Sequence, residues 1–124
     1  MKCGTDICSV NRIKEAITKH GDSLIKRIFT QKEIEYCEKY KNTKYERYAA
    51  RFAAKEAVYK AISPNENQNG VFTEVEVIND KTGKPRVILH GELAKLISDD
   101  LIDISMSHEK EYAIAVCVID DKFI

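Results

Sequence analysis

The sequence carries no excess charge of either sign. Lys plus Arg number 20 and Asp plus Glu number 20, so the formal net charge is zero. No global field draws the chain to nucleic acid or to an anionic membrane, although a local basic patch stays open. No apolar run is long enough to cross a bilayer. The opening MKCGTDICSV has neither an apolar core segment nor a small-residue cleavage site, so no secretory signal is expected. Low-complexity tracts, internal repeats and interdomain linkers are missing, and 124 residues suit one domain over 1–124. The four cysteines Cys3, Cys8, Cys37 and Cys117 form no CxxC, and no histidine stands at zinc-ligand spacing to them. They read as reduced, mostly buried thiols of a cytoplasmic protein.

What is present alternates between helix and strand signals. KCGTDI is a short β-rich start. Ser9 can cap a helix carrying Ile13, Ala16 and Ile17, with Gly21 as its stop. A second helical stretch covers Ser23 to Phe29. Thr30-Gln31-Lys32-Glu33 is a capping box ahead of Ile34 and Cys37. From about Lys44 to Ile62 the chain lacks Gly and Pro and predicts one long helix, ended by Ser63-Pro64. SPNENQNG reads as a flexible surface loop. Thr73 to Val77 alternates like a half-buried strand, turns at Asn79 to Gly83 and returns as Arg86 to Leu89. Glu92 to Leu101 predicts a short amphipathic helix. Strands at Asp103 to Ser107 and Tyr112 to Ile119 complete an α+β arrangement, an antiparallel sheet against a long helix and shorter ones.

Three features interrupt this pattern. On the long helix, Phe52, Glu56 and Lys60 follow one another at i, i+4, with Arg51 and Lys55 beside them. Glu56 and Lys60 read either as a helix-surface ion pair of small worth or as charges on a largely buried helix, where an ionised carboxylate needs a partner. Asp6 interrupts an apolar strand, either as a strand-end cap or as a ligand, and Gly4 lets another backbone approach closely. Two carboxylates from separate elements could hold a hard divalent cation, with Lys60 and Arg51 suited to phosphate oxygens. In SMSHEKEYA, Ser107 and His108 end a strand at a turn, where hydroxyl, imidazole and backbone N–H groups can meet an anion. A lone turn histidine is more often merely solvated.

In this order the three features resemble the bacterial holo-[acyl-carrier-protein] synthases, the small 4′-phosphopantetheinyl transferases. The matching residues are Gly4-Thr5-Asp6-Ile7 with Arg12-Ile13, Arg51-Phe52-Ala53-Ala54-Lys55-Glu56-Ala57 with Lys60-Ala61, and Ser105-Met106-Ser107-His108 with Tyr112-Ala113. The resemblance spans essentially the whole chain, and the middle motif is the specific one. It implies transfer of the 4′-phosphopantetheine arm of coenzyme A to a serine of acyl carrier protein, with adenosine 3′,5′-bisphosphate released, in fatty acid biosynthesis. It implies that Asp6 and Glu56 hold Mg²⁺, with Mn²⁺ the alternative ion, on the pyrophosphate of coenzyme A. Lys60 lies near the same phosphates, and Arg51, Ser107 and His108 belong to the coenzyme A surface. Glu56, or a metal-bound water that it orients, accepts the serine proton, and Lys60 stabilises or protonates the leaving phosphate. Family members are commonly homotrimers with active sites between subunits, so the SMSH strand would serve the Asp6 and Glu56 of a neighbour.

Two positions depart from the family. The segment Ser63 to Gly70 holds one glycine where relatives often carry a glycine-containing loop, and Cys8 stands where larger relatives place a third carboxylate. Arg12, Lys14, Lys19, Lys26 and Arg27, around the first two helices, form a candidate face for the acidic carrier protein, each alone being an ordinary solvated side chain. Two rivals share the same residues. A Mg²⁺-dependent nuclease or phosphodiesterase would use water as its nucleophile and need no protein acceptor, but zero net charge and no interleaving of aromatic and basic residues speak against nucleic acid. A non-catalytic nucleotide-sensing module would leave Asp6 and Glu56 unexplained.

Overall fold

The strand start and the long helix meet face to face, and Gly4 is the reason they can. In a computed structural model, which describes residues 1–62 and 71–120, β1 (Lys2–Ser9) lies against α4 (Lys44–Ile62). A side chain at position 4 would run into the carbonyl oxygen of Ala57 and stand 2.9 Å from the Ala61 nitrogen. The facing side of α4 is built from Ala53, Ala54, Ala57 and Ala61, all buried, so helix and strand backbones come close together.

β1 pairs antiparallel with β5 (Tyr112–Ile119), which pairs antiparallel with β4 (Ile102–His108), giving the order β1-β5-β4. β2 (Val75–Asn79) and β3 (Pro85–Leu89) form a separate antiparallel hairpin. Both sheets pack on α4. The main core joins Ala53, Ala57 and Val58 of α4 to Val75, Val77, Val87, Leu89, Ile104, Ala115, Cys117 and Ile119. β5 follows the period-2 rule: Ala113, Ala115, Cys117 and Ile119 are buried, while Tyr112, Ile114 and Val116 face outward.

Three shorter helices cover the other side of α4. Ser9 accepts from the Arg12 N–H and starts α1 (Val10–His20), and the Gly21 N–H closes it on the Ile17 carbonyl at a φ of 63°. α2 spans Asp22–Ile28 and α3 spans Gln31–Glu38, whose expected capping box is present. Ile17, Phe29, Cys37 and Tyr48 make a second small core there.

Two expectations need correction. The alternation read over Thr73 to Val77 belongs partly to a 3₁₀ turn, Phe72–Glu74, and in β2 the residues Val75, Glu76 and Val77 are all buried. Glu76 tolerates this because Thr30 donates to it and His90 lies 3.1 Å from its other oxygen. The helix expected over Glu92 to Leu101 stops early. α5 covers Gly91–Leu96, and a 3₁₀ turn follows at Asp99–Leu101, where Asp99 accepts from the Leu89 N–H at 3.0 Å and ties the segment to β3. The loop read at 63–70 lies outside the described residues.

Candidate active site

Asp6 and Lys60 reach each other across the β1–α4 seam. Lys60 Nζ donates to Asp6 Oδ1 at 3.1 Å and to the Thr5 carbonyl at 3.0 Å. Glu56 stands one helical turn before Lys60, half-buried. Its carboxyl is held above the usual carboxylate range, first by burial and then by the negative charge of Asp6, against a smaller opposing pull from Lys60. The two acids therefore share one field, and both line one cleft of about 420 Å³ with Ile7, Cys8, Ser9, Arg12 and Phe52.

Two like-charged carboxylates from rigid elements form a donor set that a hard divalent cation satisfies. Cys8 does not add a third ligand. Its thiol donates to the Ala49 carbonyl at 3.1 Å and is pushed up to about 11 by burial and by Asp6, so it stays protonated. Among the described residues no cluster of three or more acids, histidines or cysteines could cage a metal. The residues fit an ion held by two protein carboxylates whose other positions go to water and substrate oxygens.

Arg51 and His108 lie elsewhere. Arg51 is buried, its guanidinium stacked 3.7 Å from the Tyr36 ring centroid and donating to Asn79 Oδ1 at 2.6 Å. Among the described residues its Nε has no hydrogen-bond partner. His108 lies 3.0 Å by Nδ1 from Glu46 Oε1. Arg47, Arg51, Tyr36, Met106 and His108 line a cavity of about 130 Å³, separate from the acidic cleft. Ser107 pairs with Ile114 on the outer side of the sheet, whereas His108 pairs with Ala113 on the inner side, so the two neighbours face opposite ways. Within one chain, Asp6, Glu56, Lys60 and Arg12 come together, and Arg51 with His108 forms a second cluster.

Arg12, Lys14, Lys19, Lys26 and Arg27 are all exposed. Arg12 borders the acidic cleft, while Lys14 sits over the Tyr45 ring on another side of α1. Reading residues one by one missed Arg47 and Glu46. The signal for Arg47 was its i, i+4 spacing to Arg51; nothing in the sequence pairs Glu46 with His108, which is 62 positions away.

An α+β domain that sets an acid pair in one cleft, with a lysine bonded to one of the acids, and guanidinium and imidazole groups in another, is equipped to handle a phosphate-bearing substrate. Residues 2–117 match the family model of the 4′-phosphopantetheinyl transferase superfamily. A holo-[acyl-carrier-protein] synthase of Ruminiclostridium cellulolyticum is 49% identical over 123 residues, covering 96% of this chain and 91% of the relative. That of Clostridium tetani is 45% identical over 124 residues, covering 98% and 96%. A solved holo-(acyl-carrier-protein) synthase from Bacillus anthracis, in complex with CoA (3′,5′-ADP), superposes with a TM-score of 0.77 at 34% identity, covering 95% and 94%. The chain belongs to the 4′-phosphopantetheinyl transferase superfamily.

Proposed function

We infer that residues 1–124 form a single phosphopantetheinyl transferase domain of the holo-[acyl-carrier-protein] synthase type. It moves 4′-phosphopantetheine from coenzyme A to a serine of apo-acyl carrier protein, as fatty acid biosynthesis requires. The observation that carries this reading is the meeting of Asp6 and Glu56 in one cleft, with Lys60 bonded to Asp6 at 3.1 Å.

The serine oxygen attacks the β-phosphorus of coenzyme A, and the bond to the bridging oxygen breaks, releasing adenosine 3′,5′-bisphosphate. Asp6 and Glu56 would hold Mg²⁺, which when bound supplies neutralising charge to the pyrophosphate. Glu56, lining the cleft beside Asp6, is placed to take the serine proton, directly or through a water that it orients. Lys60, exposed at the rim beside Asp6, is placed to stabilise charge gathering on the leaving phosphate. Arg51, Ser107 and His108 are assigned to coenzyme A. The orphaned Nε of Arg51 beside Arg47 and His108 supports an anion there.

The homotrimer that the family resemblance implies is supported by two observations. The acidic cleft and the Arg51–His108 cluster are apart in one chain. The outer sheet face is apolar, with Ile7 62%, Tyr112 51%, Ile114 43% and Val116 41% exposed, and Ile7 directly opposite Ile114. A neighbour covering this face would place Ser107 at the joint, and the family resemblance sets the Asp6–Glu56 cleft of one copy against the Ser107–His108 strand of another. Four free thiols and the absence, among the described residues, of any helix able to cross a membrane suit a cytoplasmic site of action.

The test is intact-mass spectrometry of apo-acyl carrier protein incubated with this chain, coenzyme A and Mg²⁺, beside an EDTA control. A gain of one phosphopantetheine, lost with EDTA, establishes the reaction and its metal dependence. No gain across several apo carriers overturns the reading.

A further inference from the structure

We propose that the buried Glu33–Lys55 ion pair is a positioning device for the acidic cleft, acting through the Phe72–Glu74 turn and the Phe72 ring. The inference rests on the transferase reading above. Both side chains are 0% exposed and lie 2.7 Å apart. Both Glu33 oxygens accept from inside the protein: Oε1 also takes the Thr30 N–H at 2.8 Å, and Oε2 takes the Val77 N–H at 2.8 Å. Lys55 has three donors, and they go to Glu33, to the Phe72 carbonyl at 3.2 Å and to the Val75 carbonyl. One ion pair therefore ties the cap of α3, the middle of α4 and the chain from 72 to 77 into a single junction.

Stability alone is a weak reason to keep such a pair, because well-packed apolar side chains of similar volume often serve as well. What apolar side chains cannot do is grip one carbonyl of an irregular turn and another where the turn enters β2. The gripped turn carries the Phe72 ring, 5.5 Å from the Phe52 ring and 6.3 Å from that of Tyr59. Tyr59 adds a hydroxyl bond to the Val71 carbonyl at 2.8 Å. Phe52 is the wall of the cleft that holds Asp6 and Glu56, one helical turn before Glu56. A continuous path of contacts thus runs from the ion pair to the turn, to Phe72, to Phe52 and to the acids.

The experiment compares the wild type, the double variant Glu33→Gln/Lys55→Met and the relay variant Phe72→Ala, by thermal unfolding and by steady-state transfer kinetics well below every midpoint. Both variants are expected to fold, with kcat/KM for coenzyme A lowered roughly tenfold and KM for the carrier protein held within about a factor of two, as for a misplaced site. A folded double variant with wild-type kcat/KM overturns the proposal, since a structural role would move only the midpoint. If the double variant does not fold, Phe72→Ala decides, and wild-type kinetics there overturns it. Absence of transfer by the wild type would instead overturn the transferase reading, and this inference with it.

Discussion

Lys60 and Asp6, 54 positions apart, face each other at 3.1 Å across the seam between α4 and β1. The lysine is more than half exposed and the carboxylate mostly covered, at 55% and 17% of the side chain. A carboxylate so placed has two ways to be neutralised, the ammonium beside it or a cation in the cleft. Asp6→Ala should remove both the metal response and most of the turnover while the chain stays folded. The check is transfer rate against Mg²⁺ concentration; a normal titration in the variant would remove Asp6 from the metal site.

Glu56 gives a pH prediction with a definite sign. Its carboxyl is raised by burial and by Asp6, so the native state binds a proton more readily than the unfolded chain does. The ionised form is then a cost to the metal-free fold, a cost that grows as pH rises through the raised titration and fades as pH falls. Glu56→Gln should leave the metal-free midpoint at neutral pH unchanged or higher, yet abolish transfer. Thermal unfolding with EDTA and the carrier mass assay measure the two halves. A variant with most of its turnover would take Glu56 out of the chemistry.

Gly4→Ala tests the seam itself. The added methyl meets backbone of Ala57 and Ala61, which cannot swing aside as a side chain would. Overpacking of this kind costs about 1–3 kcal/mol or more, and pushing β1 off α4 also separates Asp6 from Glu56. Denaturant unfolding should show the loss, and transfer activity should fall beyond what the unfolded fraction accounts for.

The exposed set Arg12, Lys14, Lys19, Lys26 and Arg27 sits on or beside α1 and α2, with Arg12 at the rim of the acidic cleft. If these side chains steer an acidic carrier protein, raising salt should raise its KM while the KM for coenzyme A changes less. A carrier KM independent of salt would defeat the steering idea.

Much of the local structure was legible in the residues. The Ser9 cap, the Thr30 to Glu33 capping box, the Gly21 stop, the unbroken helix to Ile62 and the last strand from Tyr112 to Ile119 all rest on short-range rules, and the structure repeats them. Gly4 as a point of close approach was legible too, since a missing Cβ in a strand has few other uses. The misreadings share one cause. Val75 to Val77 and the segment after Leu96 are shaped by partners distant in the chain: Thr30 and His90 for Glu76, and the Leu89 amide for Asp99.

The sequence by itself marked Asp6 and Glu56 as candidates for chemistry, because a carboxylate in an apolar strand and another on an alanine-rich helix are anomalies at any distance. Tertiary structure alone decided how they group. It joined Asp6 to Lys60 and Glu56, buried Arg51 against Tyr36 away from them, turned Ser107 and His108 to opposite sides of the sheet, and locked Lys55 to Glu33. The physical reason is range. Caps and periodicity act within a few residues, whereas burial and ion pairing depend on which surfaces meet, and strand pairing with helix packing sets that only once the chain has folded.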